Sequence, residues 1–200
     1  MSSRNQVTAA IVGGVVLAIV VFVITPGSGF NELSLTRWLH ILSGVMWVGL
    51  LFYVNVAQIP ALAAATTDKG GPGGAGINKY LAPRVLLWFR WAAVATWFTG
   101  AWYLLRNGQL ADAFTFGLRL DQFSYYHVVI GIGAWLGTIM LFNVWVLIWP
   151  NQKKVPGIVS ATDEQKGAAR KTTLYATRAN FVLSIPLLLS MGSATHGLPL

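Results

Sequence analysis

The chain has 200 residues; the set AVILMFWYC makes up 55% of it and charged residues only 10%. Mean hydropathy is +0.60. A soluble domain carries roughly 25% charge, so the composition argues against a water-soluble fold, and a disordered chain would need the opposite balance. Net charge is +8, from 14 Lys and Arg against 6 acids, and there are no cysteines. That removes disulfides, iron–sulfur clusters, thiolate zinc sites and CxxCH haem attachment.

A helix needs about 20 apolar residues to cross roughly 30 Å of hydrocarbon. Five segments qualify, at about 8–25, 36–62, 83–105, 123–149 and 172–194. The expected fold is all-α: a polytopic integral membrane helical bundle of five transmembrane helices, a single domain over residues 1–200. Nine Trp, ten Phe and six Tyr suit a chain whose aromatic rings anchor at headgroup level. The first apolar stretch, Val7 to Ile24, is long for a signal-peptide core. Thr25-Pro26-Gly27-Ser28-Gly29 follows without an A-x-A pattern, so a retained first helix is expected.

Along the chain, Pro60 and Pro186 predict kinks in the second and fifth helices, tolerated where neighbours satisfy the freed carbonyls. The Gly-rich stretch 66–76 predicts a flexible loop, and Pro83 falls in the first turn of the third helix. In the loop 106–122, Phe114, Phe116, Leu118 and Leu120 predict a short interfacial segment. Gly133 and Gly137 form a small-xxx-small pair for close helix packing, and Pro150 is expected to close the fourth helix.

With the N-terminus in the cytoplasm, eleven Lys and Arg fall inside (Arg4, Lys69, Lys79, Arg84, Arg90, Lys153, Lys154, Lys166, Arg170, Lys171, Arg178). Only Arg37, Arg106 and Arg119 fall outside, while the acids divide evenly. This is the positive-inside pattern and not a nucleic-acid footprint. It predicts a multi-pass protein of the bacterial inner (cytoplasmic) membrane, with its C-terminus in the periplasm. Expected partners are membrane lipids and other membrane subunits or a cytochrome, with no nucleic acid.

Two polar layers stand out. His40 and His127 each lie about one turn inside segments running in the same direction, with Gly44 and Gly131 one turn below. Matched depths would suit two axial ligands of one b-type haem, the glycines leaving room for the macrocycle. Arg37, one turn above His40, would meet a propionate. The competing reading is two interfacial histidines hydrogen-bonding at a membrane surface; His196, near the C-terminus, is the weaker ligand candidate. Towards the cytoplasmic side, Arg90 and Arg178 occur about two turns into their helices, with Asn55, Gln58, Asn143 and Asn180 at comparable depth. No segment supplies an acid, so this layer would suit an anion; the alternative is snorkelling of both guanidinium groups to the headgroups.

The run Arg37-Trp38-Leu39-His40, continuing ILSGVMWVGLLFYVNVAQIP, resembles the membrane domain of bacterial membrane-bound, cytochrome-c-linked urate oxidases. So do Leu87-Trp88-Phe89-Arg90-Trp91 with Thr96-Trp97-Phe98-Thr99-Gly100, and Gly133 to Met140 with Asn143-Val144 and Pro150 to Lys154. The last helix, with Asn180, Pro186 and Ser193-Ala194-Thr195-His196, is similar more loosely, so the likeness covers about residues 34–196. It implies a helical membrane domain linked to urate oxidation and to respiratory electron transfer. The resemblance departs from the family at two points: there is no CxxCH, and Ala176-Thr177-Arg178-Ala179-Asn180 stands where the family often shows a histidine. Three functions follow: a haem-binding redox component of a respiratory or oxidase assembly, a non-catalytic accessory subunit, or a urate (purine) oxidase proper.

Overall fold

The structure is a computed structural model that describes residues 3–25, 27, 29–155 and 158–199. Pro26 and Ser28 of the first linker, and the side chain of Arg4, lie outside the described residues. The described residues hold helices and no strand. They divide into two units, Met1–Glu32 and Leu33–Leu200.

The first unit is helix α1, Ser3–Ile24. Its span Asn5–Ile24 is apolar on every side and 0% buried, the pattern of a helix made for hydrocarbon on all faces.

The second unit contains α2 (Glu32–Thr67), α3 (Ala82–Arg106), the short α4 (Leu110–Phe114), α5 (Tyr125–Lys154) and α6 (Asp163–Ser193). By length and composition α1, α2, α5 and α6 are each able to cross a membrane. Helix α3 has 25 residues, enough length to span, but its four tryptophans and Arg90 lower its hydropathy below that of the others.

Helix ends follow local chemistry. Ser124 sits in extended backbone before α5, and its hydroxyl accepts from the His127 N–H. Thr162 and Gln165 form a capping box at the start of α6, satisfying two of the donors that a helix N-terminus leaves open. That cap starts α6 nine residues before the apolar stretch expected at 172, through the polar run DEQKGAARK. Hydrophobicity marks where a helix can be in lipid, whereas the cap marks where it begins.

Three segments are π-helical: Val54–Gln58 within α2, Ile77–Leu81 leading into α3, and Asn143–Ile148 within α5. Each ends two residues before a proline, Pro60, Pro83 or Pro150. Proline lacks an N–H and crowds the preceding turn, and a local i→i+5 turn is a known way to absorb that defect. Accordingly Ile59 N–H bonds to Val54 O and Trp149 N–H to Val144 O. Pro150 therefore does not close its helix, as the sequence led us to expect; α5 continues to Lys154.

The core of this unit is formed by Trp47 and Leu51 of α2, Phe89, Ala92 and Ala93 of α3, Met140, Val144 and Ile148 of α5, and Ala176 and Leu187 of α6. Small residues set the closest approaches. At Gly133 a methyl group would crowd Ser190 and Met191 of α6, and at Gly137 it would touch Leu187, so the small-xxx-small pair faces a helix. The interfacial segment is the short helix α4: Trp135 of α5 donates to Phe114 O at 3.0 Å, and the two rings meet edge to face.

Candidate functional site

The two histidines expected to form an axial pair are held at different levels. His40 Nδ1 donates to Thr96 O of α3 at 2.8 Å, and its ring lies where a side chain on Gly100 would stand. His127 Nδ1 is hydrogen-bonded to Ser124 Oγ at 2.7 Å, while its Nε2 is buried with no partner among the described residues. Helices α3 and α5 are locked by Trp97 Nε1 donating to Thr138 Oγ1 at 2.9 Å and by the Trp91 and Trp145 rings 5.6 Å apart. In that antiparallel register His40, beside Thr96 and Gly100, stands level with the turn around Gly137. His127 is ten residues further along α5, about 15 Å at 1.5 Å per residue.

Axial ligands of one iron need ring nitrogens about 4 Å apart. The glycines are also engaged: Gly44 faces the Thr96 methyl, and a side chain on Gly131 would run into the Ala113 carbonyl and Phe116. Each Nδ1 is thus engaged beside its own helix end or neighbour, and Gly131 serves the approach of α4. Arg37 is exposed, and so is His196, whose Nδ1 stays within its own turn beside Thr195 Oγ1 and Gly192 O. The matched depth was measured from the ends of apolar stretches. In the structure His40 is the ninth residue of its helix and His127 the third.

The second layer also separates into parts. Asn143 Nδ2 donates to Asn180 Oδ1 at 2.8 Å, and Asn180 Nδ2 donates to Met140 O at 3.0 Å. Asn180 is fully buried, so these amides tie α5 to α6. Asn55 Nδ2 donates back to Leu51 O at 2.9 Å, which leaves its buried Oδ1 without a partner; Gln58 Oε1 is likewise buried and unpaired. Arg178 is exposed and does not join the layer. Two residues along a helix turn about 200°, so the burial of Asn180 directs Arg178 to the opposite face.

Arg90 is the buried cation, only 8% exposed. Its guanidinium carbon lies 3.2 Å from the centroid of the Trp149 ring and 5.9 Å from that of Trp145. Among the described residues Nε and Nη1 are buried without hydrogen-bond partners, as is Trp145 Nε1. Sequence reasoning supplied Arg90 and the amides but missed both tryptophans. Their signal is the four-residue spacing of Trp145 and Trp149, which puts both rings on one face of α5. Lys153, four residues further on, has its Nζ 5.3 Å from the same Trp149 ring, so two cations approach one indole.

Next to this cluster, an open apolar groove of about 500 Å³ runs between α3 and α5, lined by Trp91, Val94, Trp97, Thr138, Leu141, Phe142 and Trp145. A second, small cavity of about 20 Å³ lies deeper, among Leu51, Val54, Leu86, Phe89, Ile148, Gln152 and Thr177. It has room for about one water, beside the unpaired Gln152 Oε1. Among the described residues no group of three or more His, Cys, Asp or Glu could hold a metal ion.

Residues 110–199 match the family described as urate oxidase N-terminal. This portion, α4 to α6, is urate oxidase N-terminal-like. No curated protein and no solved structure matches the chain.

Proposed function

We propose that the chain is an integral membrane subunit of a urate-oxidising respiratory assembly, a membrane domain of the cytochrome-c-linked urate oxidase kind whose oxidation chemistry and redox group reside on a partner. The observation that carries this reading is the coincidence of the family match with the interlocked part of the fold. Residues 110–199 contain the Asn143–Asn180 pair and the Trp135–Phe114 bond, whose polar groups are spent on joining helices. The haem expected between His40 and His127 is not part of this proposal, because their register keeps them apart. In its place we assign electron transfer to a partner cytochrome.

The same reading places the chain in the bacterial inner membrane with five spans, α3 included, and the N-terminus in the cytoplasm. The eleven-to-three division of Lys and Arg supports that orientation.

The test is urate-dependent oxygen uptake. Membranes from cells lacking the chain are expected to lose it and to regain it on re-expression, while the purified chain in vesicles shows none alone. Urate-dependent uptake by the purified chain would overturn the reading in favour of an oxidase proper. Uptake that is unchanged when the chain is removed would end its link to urate.

A further inference from the structure

We propose that the groove between α3 and α5, together with Arg90, is a binding site for one anionic phospholipid, its phosphate held at Arg90 and one acyl chain lying along the tryptophan-lined groove. The inference rests on the membrane insertion contained in the preceding proposal, and not on urate.

The head end has three unsatisfied donors. Arg90 Nε and Nη1 and Trp145 Nε1 are buried without partners among the described residues, and Arg90 is itself more than nine-tenths buried. The sequence places no Asp or Glu anywhere in α3 or α5, so neither helix can supply a counter-charge. A phosphate oxygen accepts from guanidinium and indole N–H alike, and arginine is well suited to it. Lys153, its Nζ 5.3 Å from the Trp149 ring centroid, adds a second positive charge towards the helix end, where a headgroup would lie.

The tail end continues from the same residue. Trp145 borders Arg90 at 5.9 Å and also lines the groove, which runs on past Leu141 and Phe142 to Thr138 and Trp97. From Trp145 to Thr138 is seven residues, about 10 Å of helix. The groove is open along its length, so an acyl chain lying in it would keep one side towards the surrounding lipid. Its walls are apolar, and the one Thr hydroxyl is already engaged by Trp97 Nε1 and Ala134 O. A free phosphate would satisfy the head and leave the groove unused; a neutral lipid would fill the groove and leave the cation unpaired. An anionic lipid does both, and basic pockets between membrane helices are a recurrent setting for such headgroups.

The experiment is lipid retention by the full chain, reconstituted in nanodiscs of phosphatidylcholine with or without phosphatidylglycerol, extracted into detergent and read by native mass spectrometry. We expect one phosphatidylglycerol per chain to survive extraction and phosphatidylcholine not to, with millimolar inorganic phosphate failing to displace it. Arg90→Leu should lower retention at least fivefold, and Lys154→Leu should leave it near the parent. Arg90→Leu could act by disturbing the fold, so Val94→Trp provides a second arm: it fills the groove and leaves Arg90 in place. A Val94→Trp chain with parental helicity is expected to lose retention equally. Equal retention of both lipids, displacement by free phosphate, or full retention by Val94→Trp would overturn the site. A chain that does not enter the nanodisc at all would overturn the membrane reading as well, and is told apart by the absence of a disc-bound peak.

Discussion

Asn180 shows how one side chain can set a helix interface. It is fully buried, accepts from Asn143 and donates to Met140 O, so a truncation removes both bonds to α5 and takes the Asn143 amide's partner away. Interhelical hydrogen bonds in membranes are worth about 0.6 kcal/mol on average and up to ~1.7. Asn180→Leu should destabilise the chain by about 1–2 kcal/mol in detergent unfolding, whereas Asn55→Leu, whose bond is within its own helix, should cost less. Gly131 makes a steric counterpart. An added methyl would strike the Ala113 carbonyl, which is backbone, while at Gly49 it would meet nothing within 4 Å. Gly131→Ala is expected to lower the unfolding midpoint clearly and Gly49→Ala to leave or raise it, since alanine favours helix by up to ~1 kcal/mol. A Gly131→Ala chain as stable as the parent would mean that α4 is not held against α5. The sequence made Gly131 noticeable but could not say which neighbour fills the space, because the alternating apolar residues of the loop 106–122 show that it seeks an apolar surface and not which one.

For the elements, apolar windows located every long helix and came within one residue of both ends of α3, but they cut α2 short at both ends, stopped α5 early and began α6 late. Two physical signals explain the differences. One is the cap: Thr162 with Gln165 begins α6 in a polar run that a hydropathy window passes over. Thr162→Ala should fray that first turn, at a cost of about 1 kcal/mol, seen as faster amide exchange over 163–166 with the exchange around Asn180 unchanged. The other is the π-helical turn before Pro60, Pro83 and Pro150, which lets two helices run through a proline. Both signals were present in the sequence. Three-dimensional register was not: the levels of His40 and His127 depend on how α3 slides against α2 and α5, and that is decided by pairs such as Trp97–Thr138, which lie 41 residues apart in sequence. The exposure of Arg178, by contrast, was readable once Asn180 is assigned to the interior.

At the level of the whole molecule, the composition alone determined the all-α, lipid-compatible character, and the charge distribution determined the proposed orientation. A single cysteine at Gly73, in the Gly-rich loop between α2 and α3, is expected to react with an impermeant thiol reagent only after the inner face is opened. Labelling from the periplasmic side of intact cells would reverse the topology. Function was less legible, because the resemblance named a class of assembly while the polar residues of this chain are largely committed to holding helices together. The proposed role makes the chain part of a larger urate-oxidising complex. The direct measurement is native gel electrophoresis of gently solubilised membranes, stained for urate-dependent activity and probed for the chain. The account predicts one band carrying both signals, well above the 21.7 kDa of the chain alone. Activity in a band without the chain, or activity carried by the chain at its own mass, would contradict it.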